Sequence, residues 1–322
     1  MLGLPVGKLH RWYKQILSDF EKAAYKDKMR QQHLREPVPR HQKEGELRVK
    51  VPIFEEGNLG PEMAIDEKYI CGKYYTILMN RENGPIAMMA NTLKANDLED
   101  ICSRFGAKRF EVRRLTRDLG QTYGWLGRKV FMNAEQVGDK YHVLVHGFEA
   151  INSLRLLLKE QELTAQREAK NAPVTLLENG ETAAQLLHRS RHLLYKREHK
   201  WNEEQKNRAH ALFNNYPQLA VAYVQLNMFR DWYDTKIGTP GSELQRSLDQ
   251  WYSEVEKHGD EATKNFSALV NRNQGIIMNY FHSGATNAKA EALNACIQRF
   301  IINSYGSKNI DFLLFRLRTH FA

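Results

Sequence analysis

Between residues 62 and 137 the apolar positions fall in short runs broken by turn residues, whereas from 144 to 281 they recur every three or four residues. The first pattern predicts strands and the second predicts amphipathic helices. Strands are expected at 63–65, at 74–79 after Cys71-Gly72, and at 86–90 after Asn83-Gly84-Pro85. Their connections are too short for crossovers, so the three should form an antiparallel meander. A helix at 98–105, a strand at 110–116, a helix at 123–131 and a strand at 134–137 follow. Helical crossovers make the last two strands parallel to the first.

The order β-β-β-α-β-α-β is that of a ribonuclease H-like fold with a mixed five-stranded sheet. In such a sheet the first and fourth strands are neighbours. Asp66 and Asp118 end those strands and should meet, although 118 − 66 = 52 residues separate them. A carboxylate that follows a strand and precedes a helix has two readings, a helix cap or a rigidly held ligand group. Glu67 faces away from Asp66 if the strand continues, and is left out of the site.

Past 144 no strand signal recurs. Helices are expected at 144–168, 181–213, 216–232, 242–257 and 260–281, with Trp201, Trp232 and Trp251 in their core. A last helix begins at Thr286-Asn287. Leu293, Ile297 and Phe300 share one face of it, and Asn287, Glu291, Asn294 and Gln298 the other, as a solvent face or as the wall of a site. At the other end of the chain, Leu9, Trp12, Ile16, Phe20 and Ala23 keep helical spacing, and the polar stretch 26–50 contains Pro37 and Pro39. This segment reads as a DNA-contacting arm or as a packing helix, followed by a linker. The predicted organisation is α/β with an all-α insertion: an arm and linker at 1–60, the core's first part at 61–143, a helical domain at 144–284 and the core's last helices at 285–322.

Charge narrows the class of partner. Across 322 residues, 47 Lys and Arg oppose 38 Asp and Glu, a net charge of +9, which favours a polyanion. Cys71, Cys102 and Cys296 are scattered and odd in number, which argues against a disulfide framework and a zinc knuckle and fits a reducing cytoplasm. No apolar run approaches the ~20 residues of a membrane span.

Several motifs resemble one family. Gly275-Ile-Ile-Met-Asn-Tyr-Phe281, Thr286-Asn287, Glu291, Asn294, Tyr305-Gly306, Asn309 and 312–318 resemble the C-terminal signature of bacterial insertion-sequence DDE transposases of the ISL-three type. Ile65-Asp66-Glu67, Thr116-Arg-Asp118 with Tyr123, and Asn133-Ala134 with Asp139-Lys-Tyr-His-Val143 resemble its earlier motifs. Ala292 and Gln298 depart from it where the family prefers Gly and Lys.

The resemblance implies metal-dependent cleavage and strand transfer at element ends, with Asp66, Asp118 and Glu291 as catalytic residues and metal ligands. It also implies two Mg²⁺ ions, for which Mn²⁺ can substitute. Asp139, His142, Asn287 and Asn294 would support the ligands from behind. Arg113, Arg114, Arg117, Arg299, Lys308, Arg316 and Arg318 are candidate DNA contacts or plain basic surface. The partners implied are double-stranded DNA, both terminal inverted repeats and target, a second copy in a homodimer or larger assembly, and a separately encoded N-terminal DNA-recognition subunit. The setting implied is the bacterial cytoplasm, at the nucleoid. A retired transposase that only binds DNA, or another ribonuclease H-like nuclease, are the alternatives.

Overall fold

A long hairpin forms the middle of the sheet in the computed structural model, which describes residues 11–23, 49–169, 175–284, 288–304 and 309–322, with backbone alone at 283 and 288–291. Strands β1 (Ile53–Phe54), β2 (Glu62–Ile70), β3 (Lys73–Asn80), β4 (Ile86–Ala90), β5 (Arg114–Arg117) and β6 (Glu135–Gly138) lie in the order β1-β4-β3-β2-β5-β6. The hairpin β2–β3 pairs from Met63 with Asn80 to Ile70 with Lys73. Its turn holds Cys71 at φ 46° and Gly72 at φ 84°, the left-handed pair that lets a two-residue turn follow the strand twist. β4 continues the meander antiparallel to β3, and β5 joins the other side parallel to β2.

Three sequence expectations change here. The sheet has six strands, not five, because β1 pairs with β4 through Ile53–Met89 and Phe54–Met88. Two apolar residues are too few to carry a period, so they were hidden in the linker expected to run to residue 60. The strand expected at 63–65 runs on to Ile70. The strand expected at 110–116 starts only at Arg114, because Gly106–Glu111 coils into a 3-10 helix in which the Arg109 guanidinium sits 4.7 Å over the exposed Phe110 ring. The chain enters the sheet where the Arg113 and Arg114 amides both donate to the Pro61 carbonyl at 2.9 Å.

Strand alternation sends side chains to two cores. Met63, Ile65, Leu78 and Leu115 pack with Leu98 and Ile101 of α1 (Ala95–Ser103) and with Tyr123 and Leu126 of α2 (Gln121–Lys129). On the opposite face Ile70, Tyr75, Ile77 and Met89 pack with Ile297 of α11 (Ala288–Asn303) and with Leu313, Leu314 and Leu317 of α12 (Ile310–Phe321). Each such aliphatic burial stabilises by about 1.5–3 kcal/mol. Ala64 turns toward this second face, beside Leu293.

By internal contacts the chain divides into two compact units, Met1–Val137 with Thr286–Ala322, and Gly138–Ala285. The second unit is helical: α3 (Lys140–Glu168), α4 (Ala183–Arg189), α5 (Arg191–Tyr195), α6 (Glu203–Asn215), α7 (Pro217–Tyr233), α8 (Gly241–His258), α9 (Glu261–Arg272) and α10 (Gln274–Ser283). The helix expected at 181–213 is therefore broken. Thr182 with Gln185 and Asn202 with Gln205 form capping boxes that start α4 and α6 separately. Asn273, at φ −109° and ψ 11°, likewise splits the helix expected at 260–281. Trp201, Trp232 and Trp251 are buried, and their indole N–H groups donate to the carbonyls of Leu193, Leu244 and Gln225. Among the described residues no helix is long and apolar enough to cross a membrane.

Candidate active site

The pairing of β2 with β5 decides which carboxylates can meet. Glu62 pairs with Arg114, Met63 with Leu115 and Ala64 with Thr116, an offset of 52 residues throughout. The same offset leads from Asp66 to Asp118, two residues past the last pair and one residue past the end of β5. Asp66 is thus inside β2 rather than at its terminus. What opens the sheet beside it is the end of its parallel neighbour. Alternation from Ala64 puts Asp66 on the face covered by α11, and Thr116 leads to Asp118 in the same way.

Both carboxylates are held by local hydrogen bonds. Asp66 Oδ1 accepts from the Glu67 amide at 2.8 Å, and its Oδ2 accepts from Asn294 Nδ2 at 2.7 Å. The second bond ties α11 to β2 across 228 residues. Asp118 Oδ1 accepts from the Gly120 amide at 2.8 Å, closing a turn before α2. A Cβ at position 120 would lie 2.8 Å from that oxygen, so only glycine leaves the carboxylate in place.

Arg117 builds the same turn from behind. It is 5% exposed, donates from Nε to Gln136 Oε1 at 2.7 Å and from Nη1 to the Asp118 carbonyl at 2.7 Å, and packs where a Cβ on Gly124 would come within 3.0 Å of Nη2. Burial lowers its pKa, with Asp118 opposing and Arg128 adding to the effect. The expected DNA contact is therefore a buried clamp. Gln136 and Gly120 are the members of this arrangement that sequence reasoning passed over. The spacing Asp118-Leu-Gly120 was a legible signal for the turn, but nothing marked Gln136.

Tyr123 stands behind the carboxylates on the α2 side. Its hydroxyl is 3.4 Å from Thr76 Oγ1, which itself donates to the Thr92 carbonyl at 2.7 Å. Burial raises the Tyr123 pKa. The Thr76 bond opposes that rise, and Glu67, Asp118 and Asp66 add to it. Three carboxylates thus act on one phenol.

The remaining residues are dispersed. Arg114 starts β5 and Arg113 precedes it, about 13 and 17 Å from Asp118 along the chain, so they do not flank the carboxylate. Arg114 is bound by Glu62 at 2.6 Å and Glu135 at 3.2 Å, and Arg113 is exposed. Arg299 is exposed on α11. Arg316 lies 4.7 Å over the Phe300 ring and donates to Ser304 Oγ at 3.3 Å, and Arg318 pairs with Glu55 at 3.1 Å. Asp139, 1% exposed, caps α3 by accepting from the Tyr141 amide at 3.1 Å, and His142 Nδ1 is 2.7 Å from its other oxygen.

Asn287, Lys308 and the Glu291 side chain lie outside the described residues. The Glu291 backbone is on α11, one turn before Asn294. Among the described residues no three His, Cys, Asp or Glu side chains form a group able to hold a metal ion. Asp66 and Asp118 supply two oxygen donors of the type hard divalent cations prefer.

The class is that of the transposases, since a family model with the description Transposase matches residues 63–317. The chain belongs to that family, DDE_Tnp_ISL3. Among solved structures, the Drosophila P element transposase strand transfer complex is similar at 14% identity, over 83% of this chain and 77% of that one, with a TM-score of 0.36. No curated protein matches the chain significantly.

Proposed function

We propose that the chain is the catalytic part of an insertion-sequence transposase, cutting DNA at element ends and joining the freed 3′-hydroxyl to target DNA, with Asp66, Asp118 and Glu291 as the catalytic carboxylates. The observation that carries this reading is the parallel register of β2 and β5. It aligns Asp66 with Asp118 across 52 residues of sequence, and the Asn294 bond brings α11 onto the same carboxylate. The strand order, with its meander and parallel β5, supports a ribonuclease H-like fold for the first unit.

The donor set fits Mg²⁺, with Mn²⁺ as a substitute, because all three groups are carboxylates, the oxygen donors that hard divalent cations prefer. Two such ions would be held by Asp66, Asp118 and Glu291 and would supply activation of the attacking oxygen and stabilisation of the leaving 3′-oxygen. The chain's own contribution is placement. Asn294 fixes the Asp66 rotamer, the Gly120 amide and the Arg117 clamp fix the Asp118 turn, and Tyr123 with Thr76 supports the sheet end behind them. Duplex DNA is the substrate, and a second copy of the chain serves the second element end.

The test is cleavage and strand transfer on labelled DNA carrying the element's end, with Mg²⁺ or Mn²⁺. Products that require metal and vanish in Asp118→Asn support the reading. Persistent DNA binding without products from the native chain, even with an upstream recognition subunit added, would leave a DNA-binding protein and overturn it.

A further inference from the structure

Burying an arginine costs free energy that an ion pair usually offsets. Arg155 on α3 is 4% exposed, and its guanidinium donates to Asn152 Oδ1 at 3.1 and 2.8 Å and to the Leu187 carbonyl at 2.9 Å. No carboxylate among the described residues pairs with it. Burial lowers its pKa; Tyr195 opposes the shift, and a second cation, Arg191 at the start of α5, adds to it. Arg191 is exposed, and its Nε meets the Tyr195 hydroxyl at 3.5 Å. Beside them Lys159 Nζ lies 3.4 Å from His188 Nδ1, one basic group against another. Lys196, also exposed, reaches Gln205 Oε1 at 3.5 Å.

Several cations of the helical unit are held by acids. Arg189 and Arg208 bind Glu181, Arg197 binds Asp231 and Asp234, Lys140 binds Asp234 and Lys206 binds Glu203. On the face made by α3 and α5 no carboxylate among the described residues is paired with Lys159, Arg191 or Lys196. The aromatic rings of this face are packed rather than presented: Tyr195 lies 5.2 Å from Phe148, which carries Arg230 at 5.3 Å, and both rings are half-buried. Rings so placed cannot stack on bases, whereas the cations above them can meet phosphates.

We propose that this face of the helical unit binds the phosphate backbone of duplex DNA through Lys159, Arg191 and Lys196, with Arg155 as a fixed positive charge beneath them. The identity of the polyanion as DNA rests on the transposase reading. The contact itself is electrostatic and independent of base sequence.

The experiment is a salt titration of duplex binding by the full chain in metal-free buffer. Replacing Lys159, Arg191 and Lys196 together by Ala should reduce the slope of log affinity against log salt by about 3, one unit for each lost phosphate contact. Lys159→Arg with Arg191→Lys and Lys196→Arg should keep it. Lys257→Ala with Lys264→Ala and Arg272→Ala, exposed cations of α8 and α9, should leave it unchanged. An unaltered slope in the first variant overturns the proposal, as does an equal loss in the charge-keeping variant. Failure of the catalytic reading is separable, since the slope is read in metal-free buffer, where no cleavage enters the measurement. A native chain that never cleaves yet loses slope in the first variant would sink that reading and leave this surface standing.

Discussion

Asn294 joins α11 to the strand that carries Asp66. An amide that orients a metal-binding carboxylate typically changes metal affinity or activity by about 10–100-fold when removed. Asn294→Ala should therefore slow strand cleavage by roughly that factor, and added Mn²⁺ should recover part of it. Asp118→Asn should abolish products at any metal concentration, and rate against metal concentration separates the two behaviours. Gly120→Ala pushes a methyl to 2.8 Å from Asp118 Oδ1. Cleavage should fall while the thermal midpoint stays near that of the native chain. Arg117→Ala acts on stability as well, because it deletes charge-assisted bonds from a buried group, each worth about 1.5–3 kcal/mol. A urea midpoint equal to the native one would refute the clamp assigned to Arg117.

At the scale of elements, the helical unit depends on junctions that its hydrophobic period does not mark. Glu181 precedes α4 and accepts from Arg189 Nη1 at 2.8 Å, from Arg208 and from Asn179 at 2.9 Å. Burial raises its carboxyl pKa, but the hydrogen bonds from Arg189 and Arg208, the Arg208 charge and Asn179 outweigh burial and hold it below the ordinary 4.5. A depressed carboxyl contributes stability that is complete above the unfolded-state value and is lost as pH falls through the folded one. Acidification below about pH 4.5 should accordingly weaken this unit. Glu181→Gln should flatten the dependence of the urea midpoint on pH in that window; an unchanged slope would count against the assignment. Gly147 marks a second junction. A Cβ there would come 2.7 Å from Leu226 Cδ1 and 3.1 Å from the Phe266 ring, so Gly147→Val should cost about 1–3 kcal/mol by overpacking. The period that located the helices could not reveal these breaks. Ser190, Asn202 and Asn273 sit where a continuous apolar stripe would read as unbroken helix.

For the whole molecule, the division into two compact units has a direct consequence. The helical unit has its own core, in which Leu186, Leu187, Leu194, Leu212 and Leu219 are fully buried. Residues 138–285 produced alone should keep a helical circular dichroism spectrum and unfold in one cooperative step. A fragment without a cooperative transition would make the unit's core dependent on the rest of the chain. The first unit is built from distant parts of the sequence, since its sheet is covered on one face by helices that begin at residue 288, so no contiguous fragment of comparable length can reproduce it.

The sequence by itself determined the strand-rich and helix-rich halves, the meander, and the two aspartates and one glutamate that resemble a transposase triad, because periodicity and motif spacing are properties of neighbours along the chain. Only the tertiary structure decided the register of β2 on β5, the extra strand Ile53–Phe54, the Asn294 bond to Asp66 and the burial of Arg117. These are relations between residues that sequence separation does not encode. Arg117 shows why: beside an aspartate in a basic run it reads as a surface cation. It becomes a clamp because the parity of β5 turns it toward α2 and Gln136, where its guanidinium donates to the Gln136 side chain and to the Asp118 carbonyl.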